Sequence, residues 1–350
     1  MKIREAIPKD NHELQEVQAK CLQGKEVIVS IVNRPDFFAR ARAYEAYKVY
    51  VACEDGQIVG SGAVGLRESL VNGKKKRVGY EFQYFTSPDH RRKGVGRTLH
   101  RKIEDYLTRH GVALSYLLIM EDNVAPKYLF ESEGFRLHRT ALMPIIMVNR
   151  ALNLPSTGNI RKITADDLDA VVGLLNETWE GHDLYEPKSV ETLAGFIDRT
   201  PAYDFGNVFI LEDQGKIVAC LGFWDWSQIA RITIEAVNVS VLSKEFVEGF
   251  NHDEGPLPEP PKPGTTLKQW CLTPIGFQDP ECLKPLIRYV NNLAMNRGIG
   301  QIFFLSEREH ALLQTTEGLF RRDVGIHLYV KILQEISIGE RPIFLDGIDL

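Results

Sequence analysis

The chain carries one arrangement of strands twice, and this internal repeat constrains its fold more than any other feature. The segment VYVACEDGQIVGSGAVG at 49–65 is echoed by VFILEDQGKIVACLGFW at 208–224. Each has an apolar run, an acidic turn with glycine and a second apolar run, which predicts a β-hairpin. A second pair, ESEGFRLHRTALMPIIMV at 131–148 and TTEGLFRRDVGIHLYVKI at 315–332, predicts a helix end with a glycine stop followed by strands. The simplest interpretation is two copies of one domain.

The repeat also predicts where one copy ends and the next begins. With 350 residues, the chain is long enough for two ordinary domains. Turn residues and little periodicity at 150–158 predict a linker between a first domain at 1–149 and a second at 159–350. The second copy is longer, and the prolines of GFNHDEGPLPEPPKPG at 249–264 exclude a helix or a central strand there. We therefore expect an inserted loop at 249–264.

Apolar periodicity predicts similar elements in both copies. In the first domain we expect strands at 2–6, 77–86, 114–120 and 135–149, a hairpin at 48–66, and helices at about 10–22, 35–46, 94–110 and 123–133. In the second we expect helices at 166–179, 189–199 and 281–297, a hairpin at 207–225, further strands at 159–163, 230–241, 267–275 and 301–305, a short helix at 309–316 and a closing strand pair at 320–332. This order predicts the α/β (α+β mixed sheet) class: two tandem domains, each with a mixed, mostly antiparallel sheet flanked by helices.

Composition restricts the classes of partner. The 42 basic and 47 acidic residues give a formal charge of −5 and a pI near 6.0, so no global field favours nucleic acid or an anionic membrane. An apolar run of about 18 residues is absent, and the five cysteines form neither a CxxC pair nor a zinc spacing. Scattered cysteines of this kind are typical of reduced thiols inside the cell. We expect a cytoplasmic protein with no metal site, no membrane contact and no nucleic-acid partner.

The stretch HRRKGVGRTLHRKIEDYL at 90–107 places basic residues around two glycines where a helix begins. Amide groups at a helix N-terminus lack intrahelical partners and attract anions. Glycine lets a phosphate approach the backbone closely, because it has no Cβ. The predicted pyrophosphate cradle comprises Arg91, Arg92, Lys93, Gly94, Val95, Gly96 and Arg97. The alternative is a solvated basic helix start whose glycines serve only a turn.

The same stretch resembles the signature of the GNAT superfamily of acyl-CoA-dependent N-acetyltransferases. RRKGVG at 91–96 matches Gln/Arg-x-x-Gly-x-Gly/Ala, and TSP at 86–88 precedes it at a strand end. A second family motif, an asparagine followed by a helix that ends in Gly-Phe, is matched by NVAPKYLFESEGF at 123–135. The tandem arrangement, with SPDHRRKGVG, FESEGF and HRTALMPIIMVN, most resembles plant Hookless-type acetyltransferases and prokaryotic double-GNAT proteins.

The resemblance implies acetyl-CoA as a co-substrate. Its pyrophosphate would rest on the amides of 92–97, and its pantetheine arm would pair with the strand end near Phe85 and Thr86. Asn123 would either contact the pantetheine or cap the helix that follows it, since asparagine is a favoured N-cap. Many family members have a tyrosine four residues before the Gly-Phe pair, where this chain has Phe130. We therefore place Phe130 with the coenzyme-binding residues.

Acetyl transfer to an amine needs a group that takes a proton from the amine. Glu81 is the only carboxylate in RVGYEFQYFT at 77–86 and is our candidate general base, acting directly or through water. The alternative is a Glu81 side chain that points to solvent. Tyr84 is the candidate acid in place of the missing tyrosine, with water as the alternative. Tyr128 is expected to face away from the Phe130 side of its helix.

The second copy lacks an equivalent cradle. Its junction reads PIGFQDPECLKPL at 274–286, where Asp279 and Glu281 occupy the helix start that a phosphate would need. We therefore expect one coenzyme site, in the first domain. The second domain is expected to bury surface against the first and to shape the acceptor pocket.

Together, these features predict an acetyl-CoA-dependent N-acetyltransferase that transfers acetyl to an amine by direct attack in a ternary complex. One alternative is a catalytically weak acyl-CoA-binding regulatory or scaffold protein, and another is a nucleotide-phosphate binder. The acceptor is left open among protein N-termini, lysines, polyamines, aminoglycosides and amino acids. Because a fused duplicate can replace a dimer, we expect a monomer or a weak homodimer.

Overall fold

The computed structural model describes residues 1–154, 158–238 and 262–350. The first half contains β1 Lys2–Glu5, α1 Asn11–Ala19, β2 Val27–Asn33, β3 Ala46–Glu54, β4 Gln57–Val71, β5 Lys74–Thr86, α2 Val95–Arg109, β6 Leu114–Met120, α3 Val124–Ser132 and β7 Arg136–Met147. The second half contains β8 Asn159–Lys162, α4 Leu168–Thr178, α5 Val190–Arg199, β9 Val208–Asp213, β10 Lys216–Asp225, β11 Ala230–Val237, β12 Thr266–Leu267, β13 Gln269–Phe277, α6 Pro280–Asn296, β14 Gln301–Phe303, β15 Ser306–Glu307 and β16 Arg321–Ile332.

Local sequence explains both hairpins. Asp55 and Gly56 connect β3 to β4 with φ values of 50° and 82°, and Gln214 and Gly215 connect β9 to β10 with 48° and 76°. Two consecutive residues in the left-handed region form the tight turn whose twist matches that of antiparallel strands. The sequence repeat is thus a repeated turn geometry.

The helix α2 covers one face of the first-half sheet. Its fully buried residues Leu99, Ile103 and Leu107 recur every four positions and form one apolar stripe. These side chains belong to the same apolar cluster as residues of β3 and β4. The stripe fixes where the N-terminus of α2 lies relative to the strands.

Thirteen strands form one mixed sheet in the order β1-β3-β4-β5-β6-β16-β7-β14-β13-β10-β9-β8, with β15 beside β7. The two halves meet in the middle of this sheet through an exchange of their last strands. β16 pairs antiparallel with both β6 and β7, and β7 pairs antiparallel with β14. Each half therefore completes the other half's ladder. The expected mixed α/β class, with helix-flanked sheets, is confirmed.

A second, three-stranded sheet in the order β12-β11-β2 also joins the halves. Its longest ladder pairs β2 with β11, from Asn33↔Ala230 to Val27↔Val237. The backbone that precedes β11 thereby lies against the first half. This places Trp226, which is 7% exposed, beside first-half residues.

The segment after β16 returns across both halves. Its Asp349 carboxylate accepts hydrogen bonds from Tyr44 at 2.8 Å and from Tyr116 at 2.9 Å, and it pairs with Arg67. Asp346 lies 3.5 Å from the same Arg67 guanidinium. A buried charge is stable only when it is paired in this way, so the ion cluster fixes the segment in place.

Four expectations differ from the structure or lie beyond it. The helix expected at 35–46 is wrong: residues 37–43 form turns with one short 3-10 segment, Ala41–Ala43, because the buried positions 37, 38, 39, 41 and 43 do not fall on one face of a helix. The closing pair expected at 320–332 is the single strand β16. Residues 155–157 and 239–261 lie outside the described residues, so the linker at 150–158 and the inserted loop at 249–264 stay predictions.

Candidate active site

The strands β5 and β6 separate after a short parallel ladder, and a cavity opens between them. They pair at three positions, from Val78↔Leu114 to Tyr80↔Tyr116, and both continue beyond that point. The facing edges of 81–86 and 117–120 are not paired with each other. The cavity holds about 240 Å³ and is lined by residues of both strands. Unpaired strand edges offer hydrogen bonds to an extended ligand.

A β-bulge in β5 changes which face its side chains occupy. The register with β4 shifts between Phe82 and Phe85, and Gln83 lies in the bulge with a φ of 51°. Because side chains alternate along a strand, the extra residue brings Tyr84 onto the face of Glu81. Without the bulge, the two side chains would point to opposite faces.

The loop before α2 has the backbone geometry of an anion-binding nest. Arg92 and Gly94 have φ values of 61° and 80°, and Gly94 is the N-cap residue of α2. Alternation of left-handed and right-handed residues turns successive N–H groups toward one point. A Cβ on Gly94 would meet no atom within 4 Å, so the space above this residue is open. The loop that the sequence predicts as a cradle thus has open space above its glycine N-cap, and the cradle itself stays a prediction.

Gly60 and Gly96 allow the start of α2 to pack closely against neighbouring parts of the first half. A Cβ on Gly60 would lie 2.8 Å from the Phe85 carbonyl oxygen and 2.8 Å from Val95 Cγ1. The start of α2 can therefore lie directly against the end of β5 only because residue 60 has no side chain. At Gly96, a Cβ would lie 2.9 Å from Leu129 Cδ2, the flexible end of a side chain on α3.

The predicted basic residues of the cradle differ in their surroundings. Arg91, Arg92 and Lys93 are exposed. Arg97 instead points to the C-terminal end of α3, where its Nε lies 2.6 Å from Glu133 Oε1. The charge available to an anion at the loop therefore comes mainly from residues 91–93.

Glu81 is enclosed in a hydrogen-bond network under α2. Its side chain is 0% exposed, so the solvent-facing alternative is wrong. Oε2 accepts a hydrogen bond from Tyr84 at 2.5 Å and lies 3.0 Å from His100 Nδ1, and Oε1 accepts one from Ser115 at 2.7 Å. Burial, with the Glu81 charge, raises the pKa of Tyr84 well above its usual value, so the phenol keeps its proton. An enclosed carboxylate of this kind exchanges protons through its hydrogen-bonded neighbours.

Beyond His100, side chains lead toward the surface without a further hydrogen bond, because His100 Nε2 has no hydrogen-bond partner among the described residues. His100 Nε2 lies 3.5 Å from Glu104 Oε2, and Glu104 Oε1 lies 2.7 Å from Lys331 Nζ. The Glu104 side chain is 31% exposed, whereas that of His100 is fully buried. The order Tyr84, Glu81, His100, Glu104 therefore runs from the cavity wall to solvent.

One side of α3, together with the Asn123 that precedes it, forms another wall of the cavity. Phe130 is buried, and its ring packs edge-on against Tyr84 with ring centres 5.0 Å apart. Asn123 occupies the N-cap position of α3, but its side chain makes no capping hydrogen bond and lines the cavity. The capping interpretation of Asn123 is therefore wrong for its side chain. Tyr128 is 72% exposed, as its helical phase predicts.

Thr86 and Phe85 lie at the end of β5, where the sequence predicts them. The Thr86 carbonyl accepts a hydrogen bond from Cys21 Sγ at 3.3 Å, and the Phe85 ring packs edge-on against Phe37 with centres 5.9 Å apart. Burial raises the pKa of the Cys21 thiol, so it is a protonated donor at neutral pH.

Sequence reasoning missed most of the wall opposite α2. Residues from four separate parts of the chain line it: Gln18, Asn33, Arg40, Trp226, Asp349 and Leu350. Trp226, which is 7% exposed, is both a core residue and a wall of the cavity. The others are brought together by strand pairing between the halves, which no local motif encodes.

The second half repeats the strand geometry without the nest. β13 and β14 pair in parallel at three positions, from Gln269↔Gln301 to Cys271↔Phe303. The N-cap of α6 is Asp279, whose carboxylate accepts a hydrogen bond from the Glu281 amide at 2.8 Å. Its own side chain thus occupies the donors that a phosphate would use.

Across the described residues, no helix is long and apolar enough to cross a bilayer. Within the same residues, no group of three or more histidine, cysteine, aspartate and glutamate side chains is placed to hold a metal ion.

Comparison with known proteins gives matches that agree with this geometry. Residues 13–135 match the family model described as acetyltransferase (GNAT) family. The search of curated proteins gave no significant match. Since none of these findings concerns plant Hookless-type proteins, that narrower resemblance stays a prediction.

Similar solved structures extend the likeness to both halves. N-myristoyltransferase of Saccharomyces cerevisiae with bound myristoyl-CoA is 13% identical with a TM-score of 0.67, covering 99% of this chain and 83% of that one. A probable N-acyltransferase from Enterococcus faecalis V583 is 12% identical with a TM-score of 0.51, covering 95% and 72%. A GCN5-related N-acetyltransferase from Anabaena variabilis is 11% identical with a TM-score of 0.52, covering 95% and 73%. At these identities the likeness concerns the fold. The segment 13–135, which contains the separated strands and the glycine-capped helix, thus carries the acetyltransferase (GNAT) family match, and the likeness of fold extends over both halves.

Proposed function

We propose that this protein is an acetyl-CoA-dependent N-acetyltransferase that transfers acetyl to an amine by direct attack in a ternary complex. The proposal rests on one observation: two features that suit a coenzyme lie next to each other in the first half. Unpaired edges of β5 and β6 border a cavity, and the nest at Arg92–Gly94 begins the helix that follows β5. An anionic head with an extended amide-bearing arm is the ligand chemistry that fits both.

The donor would bind along the first half in two parts. The amides of 92–97 hold the pyrophosphate, helped by the charges of Arg91, Arg92 and Lys93. The pantetheine amides pair with the free edge of β5 near Phe85 and Thr86, with Asn123 and Phe130 on the opposite side. Gly94, Val95, Gly96 and Arg97 form the helix start on which the phosphates lie.

The size of the cavity supports a short acyl group. About 240 Å³ must hold both the acyl group and the reacting end of the acceptor. This is below the roughly 300–1,000 Å³ of ordinary drug-sized sites. The yeast relative of similar fold carries myristoyl-CoA, whereas this space favours acetyl.

In the reaction, the amine nitrogen attacks the thioester carbonyl, the C–N bond forms and the C–S bond breaks. Because Glu81 is enclosed, we propose that it receives the amine proton through Tyr84. The Tyr84 hydroxyl passes its own proton to Glu81 Oε2 and at the same time takes the proton of the amine. His100, whose Nδ1 lies 3.0 Å from Glu81 Oε2, is the next group that could take the proton from Glu81. The thiolate needs no strong acid, because its pKa is near that of an ordinary thiol, about 8.5.

The test is release of free CoA thiol from acetyl-CoA in the presence of a panel of amines. The proposal predicts amine-dependent release by the wild-type protein and loss of release in Glu81→Gln. It is contradicted if acetyl-CoA binds and no amine is acetylated above the uncatalysed rate. That result would favour an acyl-CoA-binding regulatory protein, a candidate supported by Phe130 at the usual tyrosine position.

We further propose that 1–149 and 159–350 are the two domains and that the second contributes only to the acceptor side. The strand exchange supports a monomer or weak homodimer, because each half already receives its partner strand from the same chain. Five free cysteines support a cytoplasmic, reducing location.

A further inference from the structure

Three amide side chains on the acceptor wall have their orientations fixed by the hydrogen-bond network. The Asn33 backbone N–H can only donate, so the Gln18 atom that faces it at 2.8 Å is Oε1. Gln18 Nε2 then donates to Asn33 Oδ1 at 2.8 Å. Gln83 Nε2 donates to the same Asn33 Oδ1 at 2.9 Å and to the Phe37 carbonyl at 3.3 Å.

This arrangement leaves Gln83 Oε1 as an acceptor without a partner. Flipping the amide would set an oxygen against the Phe37 carbonyl, so the network excludes the other orientation. Within the described residues, Gln83 Oε1 is buried and receives no hydrogen bond. An N–H donor from a ligand in the cavity would satisfy it, because a buried acceptor without a hydrogen-bond partner is destabilising.

Arg40 lies on the same wall with its charge unpaired. Its guanidinium is packed among aromatic rings, 4.7 Å from the centre of Phe82 and 5.7 Å from that of Trp226. Among the described residues, its one hydrogen bond is a long one, from Nη2 to Tyr80 at 3.5 Å. Its buried Nε makes none, and no carboxylate of the described residues forms an ion pair with it.

The neighbouring charged side chains, in contrast to Arg40, are paired. Arg42, two residues along, is paired with Asp36. Asp349, which lines the same cavity, is engaged by Arg67, Tyr44 and Tyr116. Arginine stays charged in proteins, and its planar fork suits a carboxylate.

We propose that the acceptor is a small amino acid or related compound that carries a carboxylate beside its amine, with the carboxylate on Arg40 and an amine N–H donated to Gln83 Oε1. This inference rests on the proposed acetyl-transfer function and specifies its substrate class. Both groups line the cavity that opens between β5 and β6. Cation–π packing alone would explain a stacked guanidinium, but it would leave Nε and Gln83 Oε1 without partners.

The experiment compares L-alanine, L-leucine, L-methionine, L-lysine and L-glutamate with their α-carboxamides as acceptors for acetyl-CoA. Amidation removes the carboxylate charge and keeps the α-amine and the side chain. We expect kcat/KM of at least one acid to exceed that of its amide by roughly 10- to 100-fold in the wild-type protein. Arg40→Met should reduce this ratio to about one, and Arg40→Lys, which keeps the charge without the fork, should leave an intermediate ratio.

Arg42→Met is the matched control, because Arg42 is already ion-paired and does not line this cavity. Its acid-to-amide ratio should equal that of the wild type. The melting temperature measures acceptor binding without turnover. The same acids, at millimolar concentration, should raise the melting temperature of the wild type and of Arg42→Met but not that of Arg40→Met.

Failure of this inference differs from failure of the proposed function. If acetyl-CoA is bound and amides are acetylated as well as acids, or if no acid raises the melting temperature, the carboxylate assignment is wrong while acetyl transfer stands. If acids stabilise the wild type through Arg40 but acetyl-CoA is not bound, the carboxylate site stands and the acetyl-transfer function is wrong.

Discussion

The two strand-to-helix junctions of this molecule differ in one position that decides what each can bind. After β5, the helix α2 begins at Gly94, which has a φ of 80° and open space where a side chain would be. After β13, the helix α6 begins at Asp279, whose carboxylate already accepts from the Glu281 amide. Each of the two strands forms a parallel ladder of three pairs before its junction. The same scaffold therefore offers free amide donors in one half and self-satisfied donors in the other.

The two halves also differ in what occupies the space beyond each parallel ladder. In the first half it is the cavity between β5 and β6. In the second half the segment after β16 packs against β13: Cys271 Sγ donates to the Gly347 carbonyl at 3.2 Å, and Thr273 Oγ1 donates to Asp346 at 3.0 Å. The comparison teaches that two halves with the same parallel ladder can differ in open space and in free amides through one cap residue and one returning segment.

The largest expected effect comes from filling the first junction. Gly94→Trp should weaken acetyl-CoA binding by more than about 100-fold, because the side chain would occupy the open space at the nest. Gly215→Trp is the matched control: it also has a left-handed φ, of 76°, with no atom within 4 Å of its Cβ, but it lies in the β9–β10 turn. Calorimetric titration measures both, and equal affinities in the two variants would refute the cradle.

The next-largest effect distinguishes a role in the chemical step, measured by kcat, from a role in acetyl-CoA binding. Tyr84→Phe should lower kcat on the order of 100-fold, because the proton path from amine to Glu81 loses its hydroxyl. Its dissociation constant for acetyl-CoA should stay close to the wild-type value. Tyr128→Phe is the control, since that ring is 72% exposed, and its kcat should be unchanged. A fully active Tyr84→Phe would remove Tyr84 from the mechanism.

A smaller effect tests the returning segment at the second junction. A Cβ on Gly347 would lie 2.5 Å from Cys271 Sγ and 2.9 Å from the Leu272 carbonyl oxygen. Gly347→Ala should therefore lower the free energy of unfolding by about 1–3 kcal/mol, measured by denaturant titration. Gly300→Ala, where no atom lies within 4 Å of a Cβ, should change it little. A loss no larger than in this control would mean that the segment does not pack tightly there.

The smallest effect tests the cap itself. Asp279→Ala should lower the free energy of unfolding by about 1 kcal/mol, because the α6 start loses its side-chain acceptor, while Asp279→Ser keeps one and should lose less. Neither variant should gain a second acetyl-CoA site, since exposing the amides does not rebuild the left-handed residues of the first junction. A second site in Asp279→Ala would show that the cap alone separates the two halves.

Local sequence predicted the parts of this comparison that depend on neighbouring residues. The glycines of the first junction, the aspartate of the second and both hairpin turns are encoded within a few positions. The helices α2 and α6 follow from apolar spacing, as Leu99, Ile103 and Leu107 illustrate. These features needed no knowledge of how the halves pack.

Non-local pairing explains what the sequence could not predict. The exchange of β7 and β16 leaves each strand with the same apolar pattern that it would have in its own half, so no pattern distinguishes the two arrangements. The bulge at Gln83 lacks a glycine that would mark it in the sequence, so strict alternation would put Tyr84 on the face opposite Glu81. Arg40 lies in a segment expected to be helical. The cavity that Arg40 lines is completed by Trp226, which belongs to the other half.

The central claim is that only the first junction binds the coenzyme, and calorimetric titration of the wild-type protein with acetyl-CoA tests it most directly. The account predicts saturable binding with one site per chain. Absence of binding, or two equivalent sites per chain, would contradict it.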